Sequence, residues 1–227
     1  MQHQVRSIIN RLYNHFYFFH YRSKSPSEVF SDIYTKRIWR SESTSGPGSK
    51  LDQTIYVREA VRQVIAKNNI KSLLDIPCGD WFWMRYMDLS GVHYTGADIV
   101  KKIIDQNQSF ASDKVTFLNM NLLEDALPAH DLILCRDCLV HFSYQDIDKA
   151  LQNILKSDCK FLLTTTFPDK KNYNIVTGNW RPINLEAAPF RLPKPLITFN
   201  EKCTEGDGRN KDKSLALWEL DQLRNAY

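Results

Sequence analysis

Between residues 71 and 167 the chain alternates short apolar runs with amphipathic stretches, and no other feature constrains its fold as tightly. The runs lie at 71–76, 92–99, 115–120, 131–136 and 160–167, and helical candidates separate them at 81–87, 100–110 and 144–156. Apolar runs this short, bounded by turn formers, read as buried strands. Strands that alternate with helices imply parallel βαβ units with right-handed crossovers, hence a doubly wound α/β sheet. Two later runs, 196–201 and 214–220, bring the expected sheet to seven strands, mostly parallel with an antiparallel terminus.

The flanks extend this core. A helix is expected over 51–68, with Leu51, Ile55, Val61, Val64 and Ile65 along one side and Asn68-Asn69 at its end. Nearer the start, Val5, Ile8, Ile9, Leu12, Phe16 and Phe19 recur at helical spacing opposite Arg6, Asn10, Arg11 and Asn14. Such an amphipathic helix can pack on the domain or on a second copy in a homodimer, with a membrane interface as the alternative. Residues 41–50, S-E-S-T-S-G-P-G-S-K, are too small and polar for a regular element and form a loop. The stretch 167–195 mixes Pro, Asn and aromatic residues without a period, and an excursion of that length in a compact domain usually serves as a lid or substrate wall. The expected division is an N-terminal arm with a lid loop, 1–50, and a domain, 51–227, carrying the wall insertion near 167–195.

A chain of 227 residues, 43% hydrophobic and 25% charged, is long enough for one α/β domain with a sizeable core. No run reaches the roughly eighteen apolar residues of a membrane span. The net charge of +4, from 30 basic and 26 acidic residues, is too weak a surplus to indicate nucleic acid. Residues 1–40 do hold Arg6, Arg11, Arg22, Lys24, Lys36, Arg37 and Arg40 against Glu28 and Asp32, which suits an anionic surface or merely solvates the arm. Five cysteines, an odd number, behind an opening that lacks a signal-peptide pattern, fit a reducing cytoplasm. Cys135 and Cys138 have no second close pair to complete a structural zinc site, so packing is expected of them and no metal.

In an open parallel sheet the ligand sits beyond the carboxyl ends of the strands, where strand order reverses. The first strand exits through Leu73-Leu74-Asp75-Ile76-Pro77-Cys78-Gly79-Asp80. The G-x-G-x-x-G turn that brings amides to a pyrophosphate is missing, and Asp75 and Asp80 bracket Gly79 instead. This acidic loop repels a pyrophosphate and suits a ligand presenting an ammonium and a sulfonium. Asp98 ends the second strand about twenty residues past the glycine, where an acid accepts from both ribose hydroxyls; capping the helix that begins near Val100 is the alternative. Gly46–Lys50 lacks the spacer of a phosphate loop and has no strand before it, which excludes nucleoside triphosphate hydrolysis.

These segments resemble the motifs of class I S-adenosylmethionine-dependent methyltransferases, whose fold is Rossmann-like. The first loop resembles their acidic residue followed by a glycine turn, although Pro77 and Trp81 stand where the first and third glycines are usual. The resemblance implies S-adenosylmethionine as cofactor, with Asp75 or Asp80 at its amino-acid end, Pro77, Gly79 and Trp81 in the turn beneath it, and Asp98 and Ile99 at the ribose. Asn121, in L-N-M-N-L, matches the position that accepts from the adenine amino group, with Leu122 packed on the ring; a local turn role is the alternative. The run Asp131-Leu132-Ile133-Leu134-Cys135-Arg136-Asp137-Cys138-Leu139-Val140-His141 is similar to the D-L-I-x-C-R-x-x-x-x-H of small-molecule methyltransferases. It implies that Arg136 and Asp137 face the transferable methyl.

The flanks resemble a narrower bacterial methyltransferase group in Trp39…Glu42-Ser43-Thr44-Ser45-Gly46-Pro47-Gly48-Ser49, in Thr177-Gly178-Asn179-Trp180-Arg181-Pro182 and in Asp212-Lys213-Ser214-Leu215. On that resemblance Trp39, Glu42, Ser43 and Ser45 fold over the cofactor, with Glu42 reaching the substrate. Tyr173, Asn179, Trp180 and Arg181 form the opposite wall, and their aromatic, amide and guanidinium groups suit a polar small molecule or a sugar, phosphorylated or not. Asp137 can orient or deprotonate a hydroxyl, and His141 can act as base because its ordinary pKa is near working pH; the structural alternatives are a turn cap for Asp137 and a loop anchor for His141. The expected activity is methyl transfer to an O or N atom of a polar or sugar-derived acceptor, with surface-polysaccharide biosynthesis as a setting. A nicotinamide-dependent oxidoreductase and a non-catalytic S-adenosylmethionine-binding protein are the alternatives.

Overall fold

The computed structural model describes residues 18–39 and 41–226. The amphipathic stretch from Val5 to Phe19, and with it the expected dimer contact, falls outside them except for its last two residues. Seven strands form one sheet in the order β3-β2-β1-β4-β5-β7-β6. They are β1 (Ser72–Asp75), β2 (His93–Asp98), β3 (Val115–Asn119), β4 (Leu132–Cys135), β5 (Phe161–Thr166), β6 (Ile197–Asn200) and β7 (Ser214–Glu219). The first five pair in parallel, while β7 lies between β5 and β6 and runs antiparallel to both. The Rossmann-like α/β expectation is met, and the reversed strand is an inserted one, with β6 outside it at the edge.

The apolar runs are continuous because both faces of the central strands are covered. Leu73, Leu132, Leu134, Leu163, Leu215 and Leu217 point into one core, with Val57, Val61 and Val64 of α2 (Ile55–Lys67). Their neighbours Leu74, Ile133, Cys135, Leu162, Ala216 and Trp218 point into the other, with Ile147, Leu151 and Ile154 of α4 (Tyr144–Lys156). That two-residue alternation is the pleat of the strand read through burial. The edge strands are more exposed, because each has a neighbour on one side only: β6 alternates between half-buried and exposed residues, and β3 fully buries only Phe117.

Two elements depart from the sequence expectation. The helix expected over 81–87 is only a short 3-10 turn, Met84–Tyr86, because Trp81 has φ +54°, a left-handed conformation from which an α-helix cannot start. The helix α1 (Pro26–Thr35) was not anticipated, although Ser25 and Glu28 make a full capping box around Pro26 at the first turn. Helix α3 (Lys101–Asn107) follows β2, and α5 (Leu220–Ala226) ends the described chain. No helix among the described residues is long and apolar enough to cross a membrane. All five cysteines are buried free thiols.

Leu134 sits fully buried on the central strand β4. Truncating it by Leu134→Ala removes packing that the sheet cannot recover by collapse, so chemical denaturation should show a loss of about 2–5 kcal/mol.

Candidate active site

Strand order reverses between β1 and β4, whose carboxyl ends therefore diverge, and a cavity of about 390 Å³ opens there. Its floor is the exit of β1, where Asp75, Ile76, Pro77, Cys78 and Gly79 all line it. The Ile76–Pro77 peptide is cis, and Gly79 takes φ +54°. Asp98 at the tip of β2 holds this turn in place, accepting from the Gly79 amide at 3.1 Å and from the Val100 amide at 2.9 Å. Asp98 thus fixes the turn ahead of the next helix without capping that helix's first turn, each carboxylate oxygen keeps a further lone pair, and Asp98 also lines the cavity. Ile99, Val100, Ile103, Met120 and Leu122 give this end an apolar wall.

Asp75 and Asp98 are both buried in the cavity floor. Burial pushes Asp75 up to about 7, against the lowering effect of a Tyr94 hydroxyl that donates to it at 2.7 Å. Burial likewise pushes Asp98 up to about 6, opposed by its backbone amide donors. Two acids with raised pKa values in one apolar-walled cavity are under-compensated, which is the condition that a cationic, hydroxyl-rich ligand relieves. The chemistry of this floor, two buried acids and an apolar wall, fits S-adenosylmethionine. Asn121 lines the same end, where its Oδ1 accepts from the Leu123 amide at 3.0 Å and its Nδ2 donates to Glu124 at 3.1 Å, the local turn role that its residue type permits.

Asp80 has other work. Its carboxylate accepts from Ser43 Oγ at 2.8 Å, from the Thr44 amide at 2.7 Å and from Ser45 Oγ at 3.1 Å, so it anchors the 43–49 loop over the cavity that it also lines. The glycine requirement at 79 has the same origin: a Cβ there would stand 2.0 Å from Ser45 Oγ. The loop continues through Gly48, whose carbonyl accepts from Arg136 at 3.0 Å.

Beyond β4, Arg136 and Asp137 enter the cavity wall, and Asp137 takes φ +52°, sparsely populated for a residue with a side chain. Arg136 is committed within the protein, to Glu201 at 2.8 Å as well as to the Gly48 carbonyl, and its guanidinium lies 6.0 Å from the Trp83 ring. Asp137 is paired with Lys213 at 2.6 Å and Arg136 at 3.3 Å. Despite burial, these two cations hold its carboxyl down at about 2, so Asp137 is ionised at neutral pH and a weak base, which suits the orienting alternative better than the deprotonating one. His141 hydrogen-bonds the Asn179 carbonyl through Nδ1 at 3.0 Å and stacks on Trp39, with ring centroids 4.5 Å apart. Burial lowers its pKa to about 4, so the imidazole is neutral near pH 7. Because Nδ1 must donate to a carbonyl, Nε2 is the acceptor.

The T-G-x-W-R-P segment divides by role. Arg181 is fully buried and donates to the Leu139 carbonyl at 2.8 Å, the Phe142 carbonyl at 2.9 Å and the Tyr173 carbonyl at 3.3 Å. It pins the loop that carries His141 and cannot reach a substrate, which corrects the expectation. Asn179 is buried, and its carbonyl positions His141; neither it nor Tyr173 lines the cavity, and Glu42 is exposed outside it. Trp81 also leaves the expected set, since its ring packs between Tyr94, Phe110 and Phe117. Trp39, Ser45 and Trp180 do line the cavity. Sequence reasoning missed Phe30 and Tyr34 of α1, Phe82 and Trp83 after β1, and Glu205, Asn210 and Lys213 between β6 and β7. The D-K-S-L run contained Lys213 but gave no hint that it meets Asp137.

Gly79→Ala should lower stability by about 1–3 kcal/mol through the left-handed backbone and the Ser45 clash. Adding Ser45→Gly to the same chain should return only the clash portion, which paired denaturant curves measure.

Residues 74–158 match the family described as "Methyltransferase domain". A comparison with curated proteins gave no match. Among solved structures, the N-methyltransferase NodS from Bradyrhizobium japonicum WM9, crystallised with S-adenosyl-L-homocysteine, superposes with a TM-score of 0.57 at 12% identity, over 83% of this chain and 98% of that one. The methyltransferase domain of bacterial CtHen1-CN gives 0.53 at 11% identity, over 75% and 100%. These likenesses identify the fold, and the family match falls on the β1–α4 segment that builds the cavity floor. Residues 74–158 are thus similar to a methyltransferase domain, within a chain that has the fold of such enzymes.

Proposed function

We propose that this chain moves a methyl group to an O or N atom of a polar, sugar-derived small molecule in the cytoplasm, with surface-polysaccharide biosynthesis as its setting. The observation that carries the reading is the two-ended cavity. One end offers buried acids and aliphatic side chains, and the other offers Trp39 and Trp180 with Asp137, Asn210 and Lys213. Flat aromatic faces beside a few fixed polar groups suit a sugar ring. The nicotinamide alternative is disfavoured, since a pyrophosphate would lie against Asp75 and Asp98.

The cofactor supplies an activated methyl on a sulfonium, so transfer is an in-line displacement and the protein's contribution is alignment and exclusion of water. Asp98 would hold the ribose and Asp75 the charged end. The 43–49 loop covers the site, and Trp39 on His141 closes its edge. Asp137, kept ionised by Lys213 and Arg136, accepts from the acceptor's hydroxyl or amine and aims its lone pair. Asp137 takes part by hydrogen bonding alone, and the neutral His141 would take the acceptor's proton on Nε2 as the methyl is transferred.

Release of S-adenosylhomocysteine with candidate glycoside acceptors tests the activity directly. Asp98→Ala should weaken S-adenosylhomocysteine binding by roughly 10- to 100-fold in calorimetry, the worth of hydrogen bonds to a charged group; unchanged affinity would refute the ribose assignment. Asp137→Asn should lower kcat with cofactor affinity within about twofold, because it removes orientation of the acceptor alone.

A further inference from the structure

The acceptor end of the cavity holds a guanidinium and an ammonium, which on sight suggests an anion site. The surroundings say otherwise. Arg136 and Lys213 have side chains only 5% and 6% exposed, and both contact Glu201, itself 2% exposed, at 2.8 and 3.5 Å. Both also contact Asp137. Glu205 joins the group, since its Oε2 and Asp137 Oδ2 would each lie 3.3 Å from a Cβ built on Gly48, with Lys213 Nζ at 3.6 Å. Two cations thus meet three carboxylates inside one wall, and neither cation is left to attract a charge from outside.

The unsatisfied atoms point the same way. Asp137 Oδ1 and Glu201 Oε1 are buried acceptors without a hydrogen-bond partner, and Arg136 Nε is a buried donor without one. Two of the three are carboxylate oxygens, whose charge repels an anion, whereas a hydroxyl can donate to Asp137, whose side chain is 24% exposed and lines the cavity. Arg181, the guanidinium that the sequence offered for a phosphate, is spent on backbone carbonyls.

We propose that Arg136, Asp137, Glu205 and Lys213 in the cavity lining, backed by the buried Glu201, form the acceptor subsite, that it takes an uncharged hydroxyl-bearing group, and that its three carboxylates against two cations exclude phosphorylated and carboxylated acceptors. This rests on the methyltransferase reading and narrows its substrate class. Glu201 and Lys213 are positioning and specificity residues within it, and Lys213 fixes the Asp137 carboxylate.

The test needs no knowledge of the natural acceptor. Protein saturated with S-adenosylhomocysteine is titrated in a calorimeter with inorganic phosphate and separately with glucuronate. The wild type should show no binding of either up to about 10 mM. Glu201→Gln combined with Glu205→Gln leaves two cations facing one carboxylate and should bind phosphate at least tenfold more tightly. Asp137→Asn combined with Glu205→Gln makes the same charge change without touching the most buried carboxylate, and should behave alike if the first pair fails to fold. Phosphate or glucuronate binding by the wild type at low millimolar concentration overturns the proposal, and so does indifference of a folded double variant to phosphate. The initial S-adenosylhomocysteine titration reports on the methyltransferase reading by itself: if it fails, the phosphate comparison on the ligand-free protein still judges the charge balance.

Discussion

Burying two carboxylates side by side is the constraint from which the site follows. Asp75 and Asp98 stand at the tips of adjacent parallel strands, Asp98 two residues beyond the Gly96 that pairs with Asp75, and neither meets a cation closely enough to neutralise it. Such an arrangement is unfavourable in a ligand-free protein, because burial raises both pKa values and leaves lone pairs unfilled. For an acid whose folded pKa lies above its unfolded value, the native state binds the extra proton. Stability is therefore greatest below about pH 4 as far as these two groups are concerned, and falls as pH rises towards 7. A ligand that brings its own positive charge and hydroxyl donors reverses that penalty.

Around this floor the remaining parts serve to place rather than to react. Asp80 ties down the 43–49 loop, and Gly79 makes room for it. Thr177 and Asp146 join in a short hydrogen bond beside the Ser143 cap, Gly178 packs on Val29 of α1, and Arg181 grips the loop from Leu139 to Phe142. His141 is held by this framework and stacked by Trp39. Trp81 and Asp137, two of the seven non-glycine residues with left-handed backbone among those described, lie one at each strand exit beside the cavity.

The fold was largely legible because strand periodicity, helix spacing and the acidic β1 turn are local signals. The seven strand positions could be read within a residue or two, and helix 144–156 to the residue. What escaped depends on tertiary context. A helix through Trp81 looked sound until its left-handed φ was seen, and α1 was missed although its capping box is written in Ser25-Pro26-x-Glu28. Site residues near the floor came from spacing along one strand exit. Arg181 looked like a ligand-reading guanidinium because sequence cannot show that three backbone carbonyls already claim it. Glu201 and Lys213 were invisible as partners of Arg136 and Asp137, since an ion cluster across three strand ends leaves no pattern in any one of them.

The central claim, that under-compensated acids in the floor receive the cofactor, predicts that binding ejects a proton. Near pH 6 the free protein holds on the order of one proton on the Asp75–Asp98 pair, while the cofactor's own amino group stays charged. Calorimetric titration of S-adenosylmethionine at that pH, in two buffers of different ionisation enthalpy, should therefore give heats that differ by the release of about one proton, fading above pH 8. Heats that are the same in both buffers at pH 6, or no binding at all, would contradict the account.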